Sequence, residues 1–278
     1  MRWKILHNDV ILTPVQVFDR KEVKMYPIAF TTGSLTIYWY GVMAAAGFLL
    51  ATFVLRFTRA HADMSDDDST NIMMIAMFAG LIGARIFYVV QFFHQFRGNL
   101  WKIIRVDQGG LVFYGGFLFA IACLIIYAKI RKIDVVRMFD AITPAMAIGH
   151  ACGRIGCFLH GCCFGKPGDF LCVRYPSNSA AVHKYADAAL HPVQLYEAGA
   201  NFLAFWLFLH LARKGRRGTA MAGYLIYYGV LRFLTELLRG DNPHIWGLFT
   251  PAQLIGLVLI QTGAVLLFVF RKNAEQNA

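Results

Sequence analysis

The stretch Gly149-His-Ala-Cys-Gly-Arg-Ile-Gly-Cys-Phe-Leu-His-Gly-Cys-Cys-Phe-Gly-Lys-Pro167 follows directly on an apolar run, residues 141–148, that reads as a membrane helix. It carries one arginine, two histidines, four cysteines and five glycines. Polar groups are expensive at membrane depth and are kept there mainly for function. Gly149, Gly153 and Gly156 let another backbone or a lipid approach closely, whereas Gly161 and Gly165 favour a turning, unwound chain. The stretch is therefore read as a helix that ends in a substrate cavity. The plainer alternative is a helix packed through small residues, with Arg154 snorkelling to the interface.

The rest of the chain agrees with a membrane setting. Of its 278 residues 58% are apolar, and about seven stretches approach the twenty or so residues that span a bilayer. The fold class expected is all-α: a polytopic integral membrane protein of about seven transmembrane helices, with an extramembrane segment between the fourth and fifth. The net charge of +11 would suit nucleic acid in a soluble protein. Here the bases flank hydrophobic spans, so anionic headgroups are the nearer partner and nucleic acid is not expected. Asn8, Asp9, Thr13 and Pro14 interrupt any apolar leader, so no cleaved signal peptide is expected.

Residues 1–34 form a mixed N-terminal extension, with an alternation at 10–18 that hints at a short strand or interfacial segment. Residues 35–272 form the seven-helix domain. Its first span, about 35–57, opens on Tyr38-Trp39-Tyr40, an interfacial aromatic belt. Ser65 is a helix cap ahead of Asp66, Asp67 and Asp68. The second span, about 71–93, holds Arg85, which needs a partner or an aqueous pocket. The third, about 109–127, opens Gly-Gly-Leu-Val-Phe-Tyr-Gly-Gly. Gly115 and Gly116 there either pack helices or free Tyr114 to donate to a headgroup. The fifth span starts His191-Pro-Val-Gln-Leu-Tyr196-Glu197, the sixth runs from about 220 to 238, and the seventh from about 251 to 270. The basic loops at 129–137 and 213–217 lie two spans apart and so share a side, which puts the N-terminus outside and the C-terminus in the cytoplasm.

The arginines of these spans exceed the nearby carboxylates. Arg85, Arg154 and Arg232 face Glu197 and Glu236, and a guanidinium fork matches a phosphate bidentately, so an anionic phospholipid headgroup is the natural ligand. His150 and Arg154 are four residues apart and share a helix face, as do Arg232 and Glu236, with Arg239 continuing that face.

Six stretches in order carry a resemblance: Tyr-Trp-Tyr-Gly, Gly-Ala-Arg-Ile-Phe-Tyr, the glycine-flanked Tyr114, Gly-Arg-Ile-Gly-Cys-Phe, His-Pro-Val-Gln-Leu-Tyr-Glu and Arg-Phe-Leu-Thr-Glu-Leu-Leu-Arg. Over about residues 26–270 they resemble the bacterial prolipoprotein diacylglyceryl transferases. The resemblance implies seven membrane helices in the bacterial cytoplasmic (inner) membrane and no cofactor. It implies transfer of a diacylglyceryl group from phosphatidylglycerol to the lipobox cysteine thiol of a preprotein, with glycerol phosphate released. Tyr40 matches the family's first-helix tyrosine, and Arg154 and Gly165 match the signature's arginine and closing glycine. Arg232, Glu236 and Arg239 match the late-helix set. The catalytic set expected is Tyr40, Tyr114, His150, Arg154, Arg232 and Glu236. The substrate-binding set is Arg85, Gly115, Gly116, Cys157, His160, Cys162, Gly165, His191, Tyr196, Glu197 and Arg239.

Two positions depart from the family pattern: Cys157 replaces the usual asparagine and Cys162 the usual glutamate, both stronger hydrogen-bonding groups than a thiol. The general base is open between His150, His160 and an arginine-polarised water. A metal at Cys157, His160, Cys162 and Cys163 is not expected, because adjacent cysteines hold one tetrahedral ion awkwardly and no C-x2-C pair is present. Rival readings are a divergent paralogue with another lipid donor or thiol acceptor, a membrane thiol redox protein, and a lipid transporter, the last opposed by the lack of an inverted repeat.

Overall fold

A computed structural model describes residues 27–33, 35–105, 109–176, 179–186, 188–240 and 249–276. The expected alternation at 10–18 lies outside them. Two short antiparallel strands, β1 (Ile28–Thr32) and β2 (Leu35–Tyr38), form a hairpin. Gly33 takes the left-handed conformation at its turn (φ 59°). The first helix therefore starts at Trp39 and not at 35, and the hairpin straddles the expected boundary at residue 34. The β-branched and aromatic residues of 35–38 fit a pleated ribbon better than a helix start.

Eight α-helices follow among the described residues: α1 (Trp39–Thr58), α2 (Asp66–Gln91), α3 (Phe113–Arg131), α4 (Val135–His160), α5 (Ala180–Tyr185), α6 (Val193–Lys214), α7 (Thr219–Leu238) and α8 (Pro251–Gln276). All but the six-residue α5 are long enough to cross a bilayer or nearly so. Five are also apolar enough by composition: α1, α2, α3, α6 and α8. The protein is an all-α, multi-pass membrane protein. The two long helices left out, α4 and α7, are the ones that carry Arg154, Arg232 and Glu236.

α4 is the axis of the bundle. Its first half buries Met138, Ala141, Ala145 and Ala147 against Leu55 of α1, Ile72 of α2 and Phe208 of α6. Small side chains let the neighbours close in, while large apolar residues such as Phe53, Leu203, Trp206 and Phe268 face outward, where lipid solvates them. The chain spends its polar groups on helix ends. Ser65 and Asp68 form the expected capping box at α2, and Asp68 also accepts from Tyr127 (2.8 Å) and Arg131 (2.9 Å). Asp140, buried in α4, accepts from the backbone N–H groups of Gly218 and Met221 at the start of α7.

The described residues between 161 and 191 form a small cap with a core of Phe164, Tyr175, Ala181 and Leu190. Backbone hydrogen bonds lace it internally, Gly165 N–H to His191 O (2.9 Å) and Val173 with Leu190 in both directions (2.9 Å), and tie it to the end of α7, Lys166 N–H to Leu238 O (2.7 Å). A Cβ at Gly165 would sit 2.7 Å from His191 O, so only glycine admits this approach.

Candidate active site

The site stands where α4, α6 and α7 reach the cap. α4 ends in a Schellman motif: Gly161 is left-handed (φ 75°), its N–H reaches Phe158 O (3.0 Å), and Cys162 N–H reaches Cys157 O (3.2 Å). The helix thus stops one and a half turns beyond Arg154, which it points at the carboxylate of Glu197 on α6 (Nε to Oε2, 2.6 Å). The other Glu197 oxygen faces Arg232 on α7 at 3.7 Å. Arg232 pairs in turn with Glu236 one turn on (2.9 Å), and Glu236 with Arg239 at 3.9 Å. Among the described residues three guanidiniums alternate with two carboxylates in one row. Both carboxylates are buried, at 1% or less side-chain exposure.

Distance and direction part company in this row. The Glu197 oxygens and Arg232 Nη1 are at ion-pair distance yet make no aligned hydrogen bond. The Nε–H of Arg154, close as it is to Glu197, aims at Nε2 of His150 (3.2 Å). Charge is balanced by proximity while N–H directions stay available, an arrangement that suits an anionic ligand joining the row. His150 accepts that hydrogen bond, so its Nε2 lone pair is engaged and its Nδ1 carries the proton. The His150 ring rests against Tyr228 (centroids 5.2 Å).

Tyr40 lies at the mouth, its ring 6.4 Å from that of His160 and beside Gly156, with Arg154, Cys157, Cys162 and Cys163 in electrostatic reach. Tyr114 lies in electrostatic reach of Tyr228. Cys157, Cys162 and Cys163 bring their sulfurs within 4.8 Å of one another. Hydrogen bonds from Cys157 and Cys162 hold the Cys163 thiol below the ordinary thiol range, with Arg239 and Arg154 adding to the effect. The gathering of the three sulfurs has a local structural cause. The Schellman turn stacks Cys162 over Cys157, and the left-handed backbone of Cys163 (φ 65°) turns its side chain back to the pair.

Several expected substrate contacts have other employment. Arg85 spends all five N–H donors on the carbonyls of Lys102, Ile103, Arg105, Gly109 and Gly110, so it organises a loop and has none left for a headgroup. Gly115 and Gly116 pack α3 onto α2: a Cβ at Gly116 would lie 2.4 Å from Gly80 O, and one at Gly115 2.3 Å from Phe87. His191 Nδ1 meets Tyr196 Oη (3.2 Å), which donates to Leu171 O (2.9 Å), so both hold the cap. Sequence reasoning missed Gln194, Asn201 and Tyr228. Gln194 donates to Cys162 O (2.6 Å), and Asn201 donates to Glu197 O (2.7 Å). Each sits three or four residues from Glu197 or Arg232, the spacing that marks a shared helix face. Burial raises the Tyr175 phenol, and its hydroxyl stays protonated to donate to Gln194 (3.2 Å).

A buried arginine row beneath a folded cap, set among long apolar helices, defines a multi-pass membrane protein with a charged interior site. Residues 27–269 match the family model described as prolipoprotein diacylglyceryl transferase, and the chain belongs to that family. Similar relatives include the phosphatidylglycerol–prolipoprotein diacylglyceryl transferases of Clostridium tetani, 31% identical over 88% of this chain and 97% of that one, and of Clostridium botulinum, 32% identical over 91% and 100%. That of Finegoldia magna is 30% identical over 88% and 96%.

Proposed function

We propose that the protein transfers the diacylglyceryl group of phosphatidylglycerol to a preprotein lipobox cysteine, forming a thioether and releasing glycerol phosphate. The observation that carries this is the buried row Arg154–Glu197–Arg232–Glu236–Arg239, in which the Glu197 oxygens and Arg232 Nη1 are at ion-pair distance without an aligned hydrogen bond. Arg154 and Arg232 take the phosphodiester and stabilise the charge gathering on the departing glycerol phosphate. Glu197 and Glu236 hold the two guanidiniums apart and aimed, and His150 sets the rotation of Arg154. Tyr40 and Tyr114 serve the headgroup or the acceptor at the mouth, with Cys157, His160 and Cys162 around it. Gly165 admits the cap to the end of α6, and His191 and Tyr196 steady it. Arg85, Gly115 and Gly116 act through the scaffold.

Residues 35–272 form the catalytic membrane domain and residues 1–34 an extension. α4 and α7 cross the bacterial cytoplasmic membrane beside the five apolar helices, giving seven spans with the N-terminus and the capped site outside. Their charges face protein, the one surrounding in which a span tolerates them.

The test is mass spectrometry of a lipobox peptide incubated with purified protein and phosphatidylglycerol. A diacylglyceryl increase on the peptide cysteine, absent with a serine peptide, is expected. No increase, with protein that is folded and a homologue that works in parallel, overturns the proposal.

A further inference from the structure

The proposed reaction needs a thiolate, because the thiol itself is a poor nucleophile. In the row of charges Glu197 and Glu236 lie at ion-pair distance from arginines, and the Nε–H of Arg154 is directed at Nε2 of His150. Beside the row stand three cysteine sulfurs within 4.8 Å of one another, contributed by one turn of chain. A tetrahedral ion with metal–sulfur bonds of about 2.3 Å needs sulfurs about 3.8 Å apart, a closure of an ångström or less. The turn that gathers them is strained, since Cys163 holds a left-handed backbone that non-glycine residues seldom adopt. All three are free thiols, and in an oxidising compartment clustered free thiols oxidise unless something holds them.

On the reading of the protein as a thiol-modifying transferase, we infer that Cys157, Cys162 and Cys163 bind one zinc-class divalent ion, whose fourth position takes the acceptor cysteine. Three protein ligands and one open position are the pattern of a catalytic site, whereas four closed ligands mark a structural one. Three thiolates and a dication sum to a single negative charge, which the neighbouring Arg154 and Arg239 offset. The acceptor thiol loses its proton to water as its sulfur binds the ion. That sulfur then forms the C–S bond to the glyceryl carbon while the C–O bond to the phosphate breaks, both of its electrons leaving on the phosphate oxygen. The charges balance: a thiolate and a phosphodiester monoanion give a neutral thioether and a glycerol phosphate dianion. Tyr40 stands in electrostatic reach of all three cysteines and of Arg154.

The experiment uses the full chain in detergent, stripped by chelator and reloaded with cobalt(II). One cobalt per chain, a thiolate-to-cobalt charge-transfer band and tetrahedral ligand-field bands are expected. A lipobox peptide should shift the ligand-field bands, and its Cys→Ser counterpart should not. Cys157→Ser and Cys162→Ser should lose the charge-transfer band, and Cys123→Ser, on α3, should keep it. Absence of the band in reduced, folded protein overturns the inference, as does a band indifferent to the cysteine peptide. Turnover that survives complete metal removal also overturns it while leaving the proposed transferase standing. A peptide-responsive cobalt site without diacylglyceryl transfer does the reverse: the metal site holds and the reaction assigned to the protein fails.

Discussion

The two ends of the α4 axis handle charge in opposite ways. At its start Asp134 accepts from the N–H groups of Val136 and Arg137 and from two nitrogens of Arg217, at 2.7 to 3.2 Å. A turn later Asp140 closes the start of α7. Each carboxylate there is met by donors that point at it. At the other end Arg154, Glu197 and Arg232 sit at ion-pair distance without matching directions, and arginines outnumber glutamates. Saturated charge holds a fold together; charge left partly unsaturated in a buried row is held ready for something else.

That contrast can be broken in order of expected effect. Arg154→Ala or Arg232→Ala should lower turnover by about 100-fold or more while the protein still inserts and folds; turnover within tenfold of the parent in both would refute the clamp. Lysine at either place should not restore it, since a point charge lacks the fork. Glu197→Gln should reduce both turnover and thermal stability, because it strands two buried guanidiniums, a loss of about 3 kcal/mol for a broken buried pair; thermal unfolding in detergent reads it. Gly116→Ala drives a methyl against Gly80 O and should cost about 1–3 kcal/mol with kcat/KM of the surviving fold unchanged. Asp140→Asn should weaken the α7 start by about 1 kcal/mol, again without a change in kcat/KM.

The smallest effect belongs to Asp134. Burial alone would raise its carboxyl, but the Arg217 guanidinium and the two backbone N–H groups outweigh it and hold the carboxyl below the usual carboxylate range. Its folded value is the lower one, so the stabilisation is complete above the unfolded value of about 4 and fades as pH falls through the folded value. Asp134→Asn should therefore flatten that acid limb by about 0.5 kcal/mol, as befits a half-exposed pair. An unchanged acid limb in the variant would mean that the carboxylate contributes nothing there.

Much of this was legible before any coordinates. Helical periodicity and apolar length disclosed the long helices, and Ser65 ahead of three aspartates marked a helix start that the capping box realises. The i, i+4 spacing of Arg232 and Glu236 gave their pairing. Contacts between elements were not legible. Nothing in Gly-Ala-Arg-Ile-Phe-Tyr says that Arg85 will meet five carbonyls of a following loop, because backbone acceptors leave no trace in side-chain identity. The glycines at 115 and 116 read equally as hinge or packing face until Phe87 and Gly80 came against them. The proximity of the three cysteine sulfurs was not legible for a different reason. Adjacent residues diverge in regular structure, and the signal to weigh was Gly161, whose turn returns the chain on itself with Cys157 and Cys162 at the two touching positions.

The most direct trial sets one arginine from each end side by side, Arg232→Ala and Arg217→Ala, in one preparation with phosphatidylglycerol and a lipobox peptide. Diacylglyceryl transfer lost in the first and kept in the second, with the melting temperature lowered only slightly in the second, is the expected result. Transfer retained in Arg232→Ala and lost in Arg217→Ala would contradict the assignment of the active charge to the capped end of α4.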